Sequence, residues 1–114
     1  MGNCSSIKSK VYDVPNNIIL PLIFRSLEDT GIEVKQVKSN HTRIIGEILY
    51  YTNQKDIFYV ILAPLYEPGG YKESSYLVAI SLTIDTAHDI GRNKMNLDIF
   101  YRHIDNSFAV LFKK

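Results

Sequence analysis

Tyr76-Leu77-Val78-Ala79-Ile80-Ser81-Leu82-Thr83-Ile84-Asp85 alternates residue by residue. Val78, Ile80, Leu82 and Ile84 fall on one face, and Ala79, Ser81, Thr83 and Asp85 on the other. A period of two marks a half-buried strand with its branched side chains toward a core. Upstream, Ile57-Phe58-Tyr59-Val60-Ile61-Leu62 is a continuous β-branched and aromatic run, the pattern of a strand covered on both faces. Ile32, Val34 and Gln36, then Ile44, Gly46, Ile48 and Tyr50, alternate with their neighbours around Ser39-Asn40-His41-Thr42. That is a hairpin signal, with Gly46 a candidate bulge. Residues 52–56 make a second turn, and Pro68-Gly69-Gly70 places a loop over residues 64–75.

The flanks read less sharply. Ile19, Ile23 and Leu27 recur at helical spacing, and Gly31 is placed to end a helix, but Pro21 falls inside the pattern. A short helix beginning near Pro21 is the favoured reading, with a strand as its alternative. Residues 86–94 are polar and contain Gly91, so they read as a turn or a single helical turn. Residues 95–101 and 108–112 read as two further strands joined by Ile104-Asp105-Asn106-Ser107. The expectation is a mainly β domain: a small antiparallel meander, closed as a sandwich or partly open barrel, of six to seven strands with one short N-terminal helix.

The whole chain of 114 residues is one domain's worth. Its net charge of +1 gives no bulk basic field, so no nucleic-acid partner is expected. A single cysteine, Cys4, excludes an internal disulfide framework. The longest nearly apolar run, residues 57–66, is too short to cross a bilayer as a helix and contains Pro64. There is no charged segment followed by an apolar stretch of the kind that directs secretion.

The first six residues carry the sharpest functional signal. Met1-Gly2-Asn3-Cys4-Ser5-Ser6 fits the N-myristoylation pattern, with Gly2 as acceptor and a serine four residues later. Cys4 is placed for S-palmitoylation once a first acyl chain holds it at a membrane. One myristoyl chain binds only marginally, at about 10⁴ M⁻¹, so a second chain or a basic patch is needed for stable residence. Lys8 and Lys10 give the segment through Tyr12 a charge of +2, against −1 for the remainder. Lys35, Lys38 and Arg43 around the first hairpin turn are candidates to join them against an anionic cytosolic leaflet. The first ten residues resemble the N-termini of dually acylated kinases, G-protein subunits and viral proteins, a resemblance that implies an anchor. Residues 1–12 are therefore expected to be a flexible acylated tether, and 13–114 a single β-rich domain.

Constellations for catalysis are weak. His41, His88 and His103 are dispersed, and the only thiol lies in the N-terminal segment, so no metal site is expected. Asp85, His88 and Asp89, and Glu67 with Glu73 around the Pro68-Gly69-Gly70 loop, read as solvated loop residues rather than as acid–base pairs. No serine elbow or phosphate-binding glycine loop is present. Eight tyrosines include Tyr59, Tyr66, Tyr71 and Tyr76 around the long loop, and exposed tyrosine favours interfaces. The sequence thus points to a non-enzymatic, cofactor-free peripheral membrane protein at the cytosolic face of a membrane, the plasma membrane being favoured. It would self-associate in the manner of a viral matrix protein. A cellular adaptor holding a signalling partner is the alternative, with a small acylated enzyme behind it. Residues 108–112 are the expected exposed edge for assembly.

Overall fold

A computed structural model describes residues 4–38, 42–49, 55–70, 72–83 and 91–112. The chain runs β1 (Cys4–Tyr12), α1 (Asn16–Thr30), β2 (Glu33–Lys38), β3 (Arg43–Leu49), β4 (Lys55–Tyr66), β5 (Glu73–Thr83) and α2 (Arg92–Phe112). The five strands form one antiparallel sheet in the order β1-β5-β4-β3-β2. The fold is mainly β, as the sequence suggested. The sheet is open, however, and its core face is covered by two helices rather than by a second sheet.

Helix α1 crosses from the β1 edge of the sheet to the β2 edge. It buries Ile19, Leu22, Ile23, Ser26 and Leu27, a spacing of three and four that makes one face apolar. It begins at Asn16, well before Pro21, which lies exposed inside it and donates no N–H. Its N-terminus has no side-chain cap of its own. The Glu73 carboxylate at the start of β5 instead accepts from the Asn16 N–H at 2.8 Å, placing negative charge at the positive end of the helix. Gly31, at φ 81°, ends it in the left-handed conformation, and Ile32 N–H returns to the Leu27 carbonyl at 2.8 Å.

Helix α2 replaces the two expected C-terminal strands. Residues 95–101 and 108–112 lie inside it, as does the segment read as a turn between them. Leu97, Phe100, Tyr101 and Ile104 are buried at helical spacing, with Phe108 packed against the same core. The aromatic richness that suggested strands serves core packing: the Phe58 and Phe100 rings meet edge to face at 5.0 Å. Ser26 donates to the Phe100 carbonyl at 2.6 Å and ties the helices together.

Residues 4–12, expected to be tether, are edge strand β1, paired with β5 from Cys4↔Thr83 to Tyr12↔Ser75. Serine and lysine at alternate positions made the segment look unstructured. Its inner-face side chains are held by α2, which no local signal announces. The hairpin β2–β3 forms as expected, but its register shift falls between Val34 and Gln36, leaving Lys35 as the extra residue opposite. Gly46 sits where the strands press together: a Cβ there would lie 2.5 Å from Ile32 Cγ2 and 3.0 Å from the Glu33 carbonyl oxygen. Residues 39–41 of the first expected turn and 52–54 of the second fall outside the described residues. Residues 64–66 and 73–75, read as loop, extend β4 and β5.

Two predictions follow from this packing. Gly46→Ala should lower unfolding free energy by about 1–3 kcal/mol in denaturant titration, since the Glu33 backbone cannot move aside as a side chain can. The second concerns Asp13, whose carboxylate is 2.8 Å from the Lys72 ammonium. Hydrogen bonding to Lys72, and its positive charge, hold the carboxyl below its ordinary range. A depressed folded value means that the stabilisation is complete above the ordinary carboxylate range and is lost as pH falls through the depressed value. A carbon-13 titration should show Asp13 titrating low, and Lys72→Ala should return it to normal.

Candidate functional site

The inner face of the sheet holds an unexpected polar centre. In β5 the buried side chains are Leu77, Ala79, Ser81 and Thr83, whereas Val78, Ile80 and Leu82 lie half-buried on the opposite face. The sequence pattern suggested the reverse orientation. The reason is a network centred on Asp56, which is fully buried. Its Oδ2 accepts from Arg92 Nε and Asn96 Nδ2, both at 2.9 Å, and its Oδ1 accepts from Arg92 Nη2 at 2.7 Å and from the Thr83 hydroxyl. The Ser81 hydroxyl donates to Asn93 Oδ1 at 2.8 Å and accepts from Asn96 Nδ2 at 3.1 Å. This joins the start of β4 and the end of β5 to the first turn of α2. With four donors on one carboxylate, the network is saturated and suited to holding structure rather than to proton transfer.

The opposite face is the one that faces outward, and it is apolar. Ile57, Tyr59 and Ile61 in β4, Val78, Ile80 and Leu82 in β5, Ile7 and Val11 in β1 and Ile45 in β3 share it by register. Ile7 is 67% exposed, Val11 55% and Ile61 39%. An antiparallel sheet with one covered face normally carries polar residues on the other. The continuous run in β4 was read as a strand buried on both faces. Phe58, Val60 and Leu62 are indeed buried, but the other face has no cover among the described residues. Apolar residues grouped in this way on a surface are a frequent feature of interaction sites.

Among the residues singled out for lipid and membrane contact, Gly2 lies outside the described residues, and Cys4 is the first residue of β1. Lys8 and Lys10 point inward, to α2: the Lys8 ammonium is 3.3 Å from Asp98 and that of Lys10 is 2.7 Å from Asp105. They fasten the edge strand, together with Tyr101, whose hydroxyl donates to the Lys8 carbonyl at 2.7 Å, and Tyr12, which donates to Asp105 at 2.8 Å. Burial pushes both phenols well above their ordinary range, with the Asp105 hydrogen bond adding to the effect on Tyr12. Lys35, Lys38 and Arg43 lie on β2 and β3, at the other edge of the sheet, so the five cations form no single patch. Lys35 pairs with Glu33 at 2.9 Å. Lys38 and Arg43 are cross-strand neighbours on the outward face and make no ion pair with the described residues.

The other candidates are placed as follows. Glu73 caps α1 and accepts from the Tyr66 hydroxyl at 3.0 Å, while Glu67 is exposed. His103 Nδ1 lies 3.9 Å from Asp29. His41, Asp85, His88, Asp89, Tyr50, Tyr51 and Tyr71 fall outside the described residues, as do Lys113 and Lys114. Among the described residues no group of three or more histidine, cysteine or acidic side chains is gathered for a metal, and no helix is long and apolar enough to cross a membrane. The expected edge at 108–112 is helical, so the free edges of the sheet are β1 and β2.

No protein-family model matches the chain, and no curated protein does. Among solved structures it is similar to an uncharacterized protein from Rhizobium leguminosarum, at 11% identity and a TM-score of 0.40 over 90% of this chain and 91% of that one.

The network and the surface pairs should differ sharply in energy. Arg92→Ala leaves a buried carboxylate without its cation and should cost about 3–5 kcal/mol in chemical unfolding. Lys8→Ala removes an exposed pair and should cost about 1 kcal/mol or less.

Proposed function

We propose that this chain is a lipid-anchored peripheral membrane protein of the cytosolic leaflet that acts by assembling with copies of itself, as viral matrix proteins do. It is a non-enzymatic role that needs no cofactor. The observation that carries this reading is the junction of the acylation sequence with the sheet. Gly2 stands two residues before Cys4, and Cys4 is already strand. Acyl chains at these positions would act on a rigid edge strand, so the anchor would orient the whole domain against the bilayer. The apolar outward face of the sheet then supplies a surface for assembly.

The lipid arithmetic favours two chains. A myristoyl group alone holds only marginally, and each CH₂ of a second chain adds about 0.8 kcal/mol on burial. Lys8 and Lys10 are engaged with Asp98 and Asp105, which weakens their pull on anionic lipid and shifts the weight to Cys4. An adaptor that uses the same face for a different protein is the competing reading, and self-association separates the two.

Expressed in eukaryotic cells, Gly2→Ala should move the chain from the membrane to the soluble fraction with an unchanged thermal melt. Cys4→Ser should weaken membrane retention while leaving the myristoyl group in place. Hydroxylamine should release a fatty acid of palmitate mass from the parent chain alone. A Gly2→Ala chain that still pellets with membranes would overturn the anchor.

A further inference from the structure

We infer that the outward face of the sheet binds the same face of a second copy about a two-fold axis running across the strands, along the row Ile7–Ile80–Tyr59–Ile45. The inference deepens the assembly reading proposed above, naming its surface and symmetry. The row is set by register: Ile7 pairs with Ile80, Ile80 with Tyr59 and Tyr59 with Ile45.

The pairing is signalled by the distribution of charge on either side of that row. Two residues along the strands in one direction lie Ser9, Val78, Ile61, Arg43 and Lys38, and two residues in the other lie Ser5, Leu82, Ile57, Glu47 and Glu33. Rotation about the row lays one line over the other. Serine then meets serine, Val78 meets Leu82, Ile61 meets Ile57, Arg43 meets Glu47 of the second copy and Lys38 meets its Glu33. Within one copy Lys38 sits directly across from Arg43 with no acidic partner among the described residues, whereas Glu33 and Glu47, also across from each other, are paired with Lys35 and Lys55. Like charges directly opposite in a sheet are destabilising. The two-fold gives Arg43 and Lys38 opposite-sign contacts to Glu47 and Glu33 of the second copy, and the existing Lys35–Glu33 and Lys55–Glu47 pairs extend them into a network.

Distances and area are compatible with this. Residues two positions from the axis stand about 7 Å from it, and stacked sheets lie about 10 Å apart, within reach of an arginine and a glutamate extended toward each other. Five strands about 4.8 Å apart and about seven residues long present about 550 Å² in projection, and more as accessible area. A stable interface needs about 800 Å² per partner. A two-fold along the strands instead would set Arg43 over apolar Val78 and Lys38 over Ser9, leaving both cations desolvated without a counter-charge. The across-strand axis also suits anchoring, since it passes from the β1 edge to the β2 edge and carries both β1 strands on the same side of the dimer.

The test uses the full chain, unacylated, in solution, with sedimentation from low to high micromolar concentration and a thermal melt as control for folding. The parent chain should dimerise. Arg43→Glu and Glu47→Arg, each alone, should weaken the dimer at least tenfold with melts intact, and the combined charge swap should restore it. Tyr59→Glu, at the axis, should abolish it. A parent chain that stays monomeric overturns the pairing and the assembly reading together, leaving the adaptor. An oligomer that ignores Tyr59→Glu overturns the pairing but keeps assembly by another surface. A dimer broken by Tyr59→Glu but indifferent to both charge changes overturns the axis. Membrane retention is read separately through Gly2→Ala, so failure of the anchor leaves the dimer result standing.

Discussion

Asp56 is buried as a charge, and a buried carboxylate tolerates only a narrow set of surroundings. Arg92 must lie flat beside it to give both Nε and Nη2, and Asn96 must come from one turn later on the same helix face. That requirement fixes where α2 begins and how it is rotated about its axis. The rest of α2 follows: Leu97, Phe100 and Ile104 are turned onto the sheet, and Tyr101 reaches the backbone of β1. The inner face of β5 is polar at one end because it serves this network, and apolar from Ala79 to Leu77 where it meets the helices. Exposed pairs such as Lys10–Asp105 add little free energy each, but they act on a strand whose path the network has already set.

The same constraint explains what could be read from the sequence and what could not. Periodicity located β3, β4 and β5 and the first hairpin, because those strands are dictated by their own alternation. It could not assign the faces of β5. By hydropathy Val78, Ile80 and Leu82 belong inside, and only the partners of Ser81 and Thr83 on another element reverse that. The aromatic content of α2 overrode its period of 3.6. Strand propensity expresses packing on a half-buried surface, and Phe100 and Tyr101 find such a surface from a helix. β1 was hidden because its inward residues are lysines, whose stems cross the sheet edge while their ammonium groups reach carboxylates on α2. Edge strands often carry lysine, which also discourages unwanted pairing. For the candidate site, Gly2 and Cys4 were proposed from the sequence alone, because an acylation pattern is a local signal. The open face was partly legible, since a strand apolar on both sides announces a second cover. The grouping of cations was not, because Lys8 and Arg43 are separated by the sheet order.

That sheet order has its own logic. β1 and β2 occupy opposite edges although only α1 separates them in the chain. The crossover spends α1 as cover for the inner face, and α2 completes it over β1 and β5. Nothing remains among the described residues to cover the other side. The two described helices suffice for one layer, so the second apolar face is a consequence of composition as much as of topology. A soluble solution was available by placing polar residues at Ile57, Ile61, Val78 and Ile80. Those positions instead carry branched side chains, the kind that pack well against another surface.

The polar residues that do occur on the outward face sharpen the point. The charged ones are confined to its margins, with Lys38 and Arg43 at one corner and, at the next, Glu33 and Glu47 with their partners Lys35 and Lys55. For solubility alone, alternating signs across the β2–β3 ladder would do better, since each such pair would attract rather than repel. Glu33 and Glu47 are answered within the copy by Lys35 and Lys55, so Lys38 and Arg43 are the like pair left without an acidic partner among the described residues. An anionic membrane would answer the basic corner alone. A second copy turned end for end answers both corners with one contact, and it covers the apolar rows between them in the same step.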